Sequence, residues 1–238
     1  RVMMKRLAIL GSIVVAGMAA AGLNAQGLPG IGATEQVSEN VYKIFGAGGN
    51  STFFIRSDGV VLVDTKVANN GAAILAKIRE VTDKPVTMII NTHSHPDHMG
   101  SNAEINTARG GIQIVAQDNS TARINAMPNT PDITTSFKDR LTLGRGADQI
   151  DLYWFGPAHT DGDAFIVFPQ EKVMLTGDTM AWDMGLLVDP TAGGSMIATP
   201  VTLGKAAQTI TGIDKVVEGH GDVISWPGFL RYLAYTQK

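Results

Sequence analysis

The sequence predicts a mixed α/β (α+β) domain in which two β-sheets lie face to face with helices outside. Three observations predict it. Short apolar strand patterns alternate with helical stretches in two successive sets. In each set, strands end at loops that carry histidine or aspartate. No strong repeat or linker interrupts the 238 residues, a length that suits one large domain or two small ones.

The first 25 residues read as a targeting segment and the rest, 26–238, as a single domain. Arg1, Lys5 and Arg6 form a basic start, and Leu7 to Ala21 is apolar and small. Ala19-Ala20-Ala21 or Leu23-Asn24-Ala25 suits a cleavage site. This is a secretory signal pattern, too short for a lasting membrane anchor, and it predicts a secreted or periplasmic protein with no stable span once mature. Without its three basic residues the chain keeps 16 basic against 22 acidic side chains. That balance argues against nucleic acid as a partner, because phosphate contacts need clustered Lys and Arg. There is no cysteine, hence no disulfide and no thiolate ligand or nucleophile.

The elements follow in order. Val41 to Phe45, Thr52 to Arg56 and Val60 to Asp64 are predicted strands. Gly46-Ala47-Gly48-Gly49-Asn50 and Ser57-Asp58-Gly59 supply the turns between them. A helix pattern over Ala73 to Val81 stops before Lys84-Pro85. Val86 to Asn91 is an apolar run broken only by Thr87 before its last residue, as in a strand buried on both faces. A helix should begin near Gly100 or Ser101, followed by a strand at Ile112 to Ala116 and a helix at Asp118 to Ala126 capped by Asp118. Strands are then predicted at Ile133–Phe137, Arg140–Leu143, Gln149–Phe155, Ala164–Phe168 and Val173–Thr176. Leu203 to Ile210 reads as helix, and Lys215 to Val217 as a short strand that points His220 back toward the other histidines. Phe229 to Tyr235 closes the chain as an amphipathic helix cut short.

The apolar run at Val86 delivers into Thr92-His93-Ser94-His95-Pro96-Asp97-His98-Met99-Gly100. His93 and His95 are two apart, so at a strand end both side chains point the same way. Imidazole and carboxylate are ligands that a borderline-soft divalent ion such as zinc accepts. One catalytic zinc takes three protein ligands and a water, so this loop holds too many, and two metals sharing it is the economical reading. The chain has five histidines. The remaining two, His159 and His220, stand in short glycine-bearing loops after apolar runs. A lone histidine is usually a core or surface residue; five in this arrangement point to a metal centre.

The pattern His93-x-His95-x-Asp97-His98, then His159, then Asp178 in Leu175-Thr176-Gly177-Asp178-Thr179, then His220, resembles the metallo-β-lactamase superfamily. The resemblance runs from about Val41 to His220. It implies a four-layer αββα sandwich with two zinc ions per chain at one edge. By resemblance His93, His95 and His159 hold one ion, and Asp97, His98 and His220 hold the second. Asp178 falls where many hydrolases of the superfamily place a bridging aspartate. Asp64 matches an aspartate behind the ligands that orients the metal loop, though a turn-starting role is nearly as good a reading. Thr160 is either a similar support or a turn cap. Iron or manganese suits the same His/Asp set, and export tilts the choice toward zinc.

The chemistry so implied is hydrolysis by metal-bound hydroxide. Two ions about 3.5–4 Å apart clamp the attacked group, and zinc brings the pKa of its water to about 7. Asp97 is the expected catalytic carboxylate, orienting the nucleophile and carrying its proton to the leaving group. The leading expectation is an exported zinc-dependent hydrolase that opens a small-molecule substrate with a cyclic or activated carbonyl, a β-lactam first. Where one large group of true β-lactamases has a cysteine ligand and, three residues on, a lysine for the drug carboxylate, this chain has Asp178 and Ala181. Such departures favour a lactone or thioester hydrolase with the same site. From another class, a periplasmic metal-binding protein without turnover fits less well, given the full ligand set. Gly46 to Asn50, Trp182 to Leu187 and Pro190 to Met196 are candidate pocket loops, with Lys66 and Arg123 as candidate anion contacts. The sequence leaves the oligomeric state open.

Overall fold

The computed structural model describes residues 30–180 and 185–238. Chain contacts fall into two units, Arg1–Gly30 and Ile31–Lys238; of the first only Gly30 is described. The expected export segment and the stretch from Ala181 to Met184 lie outside the described residues.

One sheet has seven strands in chain order: β1 (Thr34–Gln36), β2 (Val41–Ile44), β3 (Ser51–Arg56), β4 (Gly59–Val63), β5 (Val86–Ile90), β6 (Gln113–Gln117) and β7 (Thr135–Phe137). β1 to β4 form an antiparallel meander. From β4 onward the neighbours are parallel, which demands a crossover between successive strands. Helices supply it: α1 (Gly71–Arg79) between β4 and β5, a short turn α2 (Pro96–Met99) with α3 (Asn102–Ala108) between β5 and β6, and α4 (Asp118–Asn125) between β6 and β7.

The second sheet has six strands, β8 (Arg140–Leu143), β9 (Ile150–Tyr153), β10 (Phe165–Phe168), β11 (Val173–Gly177), β12 (Lys215–Glu218) and β13 (Val223–Ser225). Only β11 and β12 pair in parallel, and α5 (Thr199–Thr209) is their crossover. α6 (Trp226–Thr236) follows β13. Ser225 caps it by accepting the Gly228 N–H, and Pro227 sits in its first turn, where no donor is needed.

Alternation along each strand sorts the apolar side chains into three layers. Val61, Val63, Met88 and Ile90 point between the sheets with Ile166 and Phe168. Val60, Leu62 and Ile89 point the other way, onto Ile74, Ile78, Ile105 and Ile124 of the helices. Phe165 and Val167 pack beneath Leu203, Ala206, Phe229 and Tyr232. Strands buried on both faces therefore read as unbroken apolar runs, and the layers are helix, sheet, sheet, helix, as the sequence led one to expect.

Three details differ from the sequence reading. α4 is capped by Gln117, whose side chain accepts the Asn119 N–H, while Asp118 is already helical. Gln117 is the last extended residue of β6 and so occupies the capping position. α5 begins at Thr199, earlier than the expected Leu203, with Pro200 in its first turn. β1 and β13 were not expected; both are three-residue strands, too short to show an alternation.

Candidate metal centre

β2, β4, β5, β9, β11 and β12 end toward one edge, and the loops that leave them build the site. The β5 loop brings His93, His95, Asp97 and His98; the β9–β10 loop brings His159; Asp178 directly follows β11; His220 follows β12. Donor atoms of His93, His95, His159 and Asp178 form one group, and those of Asp97, His98 and His220 another, with each group's atoms within 4.8 Å of one another. Asp178 joins the two groups: Oδ1 lies 3.2 Å from His98 Nε2 and Oδ2 lies 3.3 Å from His220 Nε2. All seven residues that the sequence analysis singled out as ligands are thus together.

The hydrogen bonds behind the rings decide which nitrogen faces inward. His98 Nδ1 lies 2.7 Å from Asp64 Oδ2. His95 Nε2 lies 2.9 Å from Asp189 Oδ2, and His159 Nδ1 lies 3.0 Å from the Leu187 carbonyl. These partners only accept, so each of these ring nitrogens carries its proton outward. Thr92 Oγ1 donates to Asp64 Oδ2 at 2.6 Å, which leaves it to accept from His93 Nδ1 at 3.0 Å. The opposite nitrogens then turn lone pairs toward one another: His93 Nε2 and His159 Nε2 stand 3.1 Å and 2.9 Å from His95 Nδ1. Facing lone pairs repel unless a cation or a proton sits between them. Asp178 Oδ1 adds a buried oxygen with no hydrogen-bond partner. Borderline-hard donors, bare nitrogens and an unsatisfied carboxylate fit a divalent ion.

Protons are held instead by the other group of donors. Burial lowers the His98 pKa, but Asp178 and Asp64 on either side outweigh it and raise it well above the ordinary value. Hydrogen bonds from His220 to Asp178 and Asp97 push the His220 pKa up to about 9. His93 is driven the other way by burial and by the neighbouring His98. Burial raises the Asp178 pKa, yet the surrounding imidazoles hold it well below the carboxylate range. Metal binding therefore competes with protons, mainly on the Asp97–His98–His220 side.

Asp64 stands behind the donors. Buried at a left-handed φ of 59°, it accepts from the Thr92 N–H, the Thr92 hydroxyl and His98 Nδ1. Thr160 touches no ligand ring; its N–H and hydroxyl both go to Asp163. Asp163 is wholly buried, which pushes its pKa up to about 7 against those bonds, and it braces the His159 loop. Asp163 and Asp189 were not singled out in the sequence. The signal for Asp189 is its place before Pro190, where it caps a short turn by accepting from the Thr191 and Ala192 N–H groups. Lys66 and Arg123 are not the free anion contacts that the sequence suggested. Lys66 is fully buried, its Nζ donating to the Ile44 and Gly49 carbonyls at 2.8 and 2.9 Å. Arg123 is spent on both oxygens of Asp161.

The glycine loop after β2 lies against the second group. A Cβ on Gly49 would overlap the His98 ring, and one on Gly48, whose φ is 101°, would crowd Asp97. Gly49 N–H donates to the Asp97 carbonyl at 3.0 Å, and the Asn50 side chain holds the Glu218 and Gly221 carbonyls of the His220 loop. The open side is given by exposure: side chains of His95, Asp97 and His220 are 24–33% exposed, whereas His93, His98 and Asp178 are 4% or less.

Known proteins resemble this chain. The chain is 31% identical over 153 residues to the 2,4-dinitroanisole O-demethylase subunit alpha of Nocardioides sp., covering 62% of this chain and 46% of that one. It is 31% identical over 137 residues to a hydroxyacylglutathione hydrolase of Mesorhizobium japonicum, covering 54% and 50%. The chain thus spans about half the length of both relatives. In fold it is similar to a metallo-beta-lactamase from Pontibacter korlensis, with a TM-score of 0.75 at 20% identity over 87% of this chain and 99% of that one. The family model of the metallo-beta-lactamase superfamily matches residues 45–222, most of the chain and the whole constellation of histidines and aspartates, and to that superfamily the chain belongs.

Proposed function

We propose that the protein is an exported, dinuclear zinc-dependent hydrolase that opens cyclic or activated carbonyl compounds. The observation that carries this is the convergence of seven donors in two linked groups, with the imidazole protons turned outward by fixed acceptors. His93, His95 and His159 would hold one ion, Asp97, His98 and His220 the other, and Asp178 would reach both. A bound pair of zinc ions supplies a water that ionises near neutral pH and a Lewis acid for the carbonyl oxygen.

The chain's own residues do the rest. Asp64, Asp189 and the Leu187 carbonyl keep the imidazoles in one tautomer and one orientation. Asp97 stands on the open side with Oδ2 3.1 Å from His220 Nε2. Burial raises its pKa, but the His220 bond and His98 outweigh that and leave it lowered, so it is ionised at neutral pH. Such a carboxylate can orient the attacking water and pass the released proton to the leaving group. The relatives are named for different substrates, 2,4-dinitroanisole and hydroxyacylglutathione, which fits a site that sets the reaction more tightly than the substrate. Asp178, with oxygens toward both groups, favours lactones and thioesters beside β-lactams as substrates.

The test is turnover of a panel of β-lactams, γ-lactones and thioesters by protein shown to hold two zinc ions, against a chelated control. Chelator-sensitive hydrolysis of one class, lost by about 10²–10⁴-fold in Asp97→Ala, is expected. Two bound ions with no turnover of any class would replace this reading with a metal-binding protein without catalysis. Export is checked separately by sequencing the amino terminus of the protein recovered outside the cytoplasm.

A further inference from the structure

We infer that the site takes an uncharged substrate with an apolar group beside the scissile carbonyl, and discriminates against analogues that carry a carboxylate. The inference rests on the hydrolytic reading above and concerns which substrates that centre accepts.

The described loops around the donors are 46–50, 65–70, 92–100, 157–163, 178–180, 185–197 and 219–222. Together they contain one basic residue, Lys66. Its side chain is 0% exposed and its Nζ is taken by two backbone carbonyls, so it offers a ligand nothing. Lys43, also buried, is paired with Glu35 and the Gly221 carbonyl. A substrate carboxylate entering this mouth meets no free side-chain cation from those loops.

Nor does the centre carry surplus positive charge. Asp64, Asp97, Asp178 and Asp189 each lie against the imidazoles. Four carboxylates offset two divalent ions. Asp97 and Asp189 stand on the open side, where they repel an approaching anion. Desolvating a carboxylate without a partner is costly.

The segment anchored beside His159 adds exposed apolar side chains. Leu187, Met196 and Ile197 are 36%, 60% and 89% exposed. They flank a segment sewn to the His159 loop: Asp189 N–H donates to the His159 carbonyl at 2.8 Å and Ser195 N–H to the Ala158 carbonyl at 2.9 Å. The Leu187 carbonyl itself receives His159 Nδ1. Exposed apolar side chains within two residues of such anchors are placed to cover an apolar substituent of a molecule held at the donors.

The experiment uses matched pairs on the zinc-loaded protein: a γ-lactone with a butyl side chain against one with a 3-carboxypropyl side chain, and a penicillin against its carboxyl methyl ester. Lactam or lactone opening is followed, and binding of the same compounds is measured by calorimetry. The uncharged member should win by about tenfold or more in kcat/KM, through KM, and the gap should narrow in high salt because acidic repulsion is screened. Met196→Lys should improve the charged member's KM by about two- to fivefold relative to the neutral one, the scale of an exposed ion pair. Equal or better handling of the charged members would overturn the inference while leaving the hydrolytic centre standing. If neither member of either pair turns over, the thioesters of the hydrolysis panel decide that reading of the function, and calorimetry still decides the inference: weaker binding of the uncharged members sinks it.

Discussion

Lys66→Met should erase a pH dependence that the wild-type fold carries above pH 7. Burial lowers the pKa of Lys66 from 10.5 to about 7, with Asp64 opposing and Lys43 adding to the shift. The neutral amine keeps two N–H groups, enough for the Ile44 and Gly49 carbonyls that it serves. The unfolded chain keeps this lysine charged up to its ordinary value. Between about pH 7 and 10.5 unfolding therefore takes up a proton, so this group makes the fold more stable as pH rises, by about 1.4 kcal/mol per unit. Below pH 7 both states are protonated and its contribution is flat. Methionine keeps the length and apolar volume of the stem but leaves two buried carbonyls without a donor, a loss of about 1–3 kcal/mol each that does not vary with pH. Urea unfolding of chelated wild type and variant at pH 7.5 and 9.0 separates the two effects. The stability gap should widen by about 2 kcal/mol between those pH values, since the other titrating groups are common to both proteins and cancel. A gap that is the same at both would show that the native lysine stays charged, and the reasoning from its burial would fail.

Three further outcomes follow from the geometry. Gly49→Ala puts a Cβ into the His98 ring, so metal analysis should fall from two ions toward one. Asp189→Ala removes the acceptor behind His95 and should weaken one zinc by about 10–100-fold in a calorimetric titration, with the other little changed. Chelation of the loaded protein should lower its unfolding free energy by about 3–4 kcal/mol per site at free zinc 100–1,000 times Kd, and an unmoved urea midpoint would show that the donors were never filled.

Four of the seven candidate ligands were legible because their signal is local. His93, His95, Asp97 and His98 fall within six residues, and the apolar run before them announces a strand that must end where they begin. The partners behind them were not. Asp189 reaches His95 across 94 residues of chain, and its own neighbourhood shows only a turn cap. Asp163 stands in the turn-like stretch Thr160-Asp161-Gly162-Asp163, and its burial comes from packing between loops that no periodicity encodes. Lys66 was read as a candidate anion contact, and its burial was not foreseen because lysine is almost never fully buried. Its left-handed φ of 61° and two carbonyl partners exist only once the glycine loop has folded over the site. The same limit applies to the helix cap at Gln117, where a good capping residue stood one place too late.

The two donor groups share Asp64 but differ in their other supports, and this separates their fates. His93, His95 and His159 depend on acceptors from two segments: Thr92, and the stretch that carries Asp189 and the Leu187 carbonyl. Asp97, His98 and His220 depend on Asp64 and on the glycine loop, whose ends Lys66 and Asn50 pin to β2 and to the His220 loop. The second group also carries the imidazoles whose pKa values are raised, so protons compete there for the metal and that ion should leave first as pH falls. Gly49→Ala and Asp189→Ala consequently empty opposite halves. If hydrolysis survives in the first variant and not in the second, the attacking water belongs to the His93–His95–His159 group, and the Asp97 side serves orientation and proton transfer. If it fails in both, the reaction needs the pair, with Asp178 as the link between them.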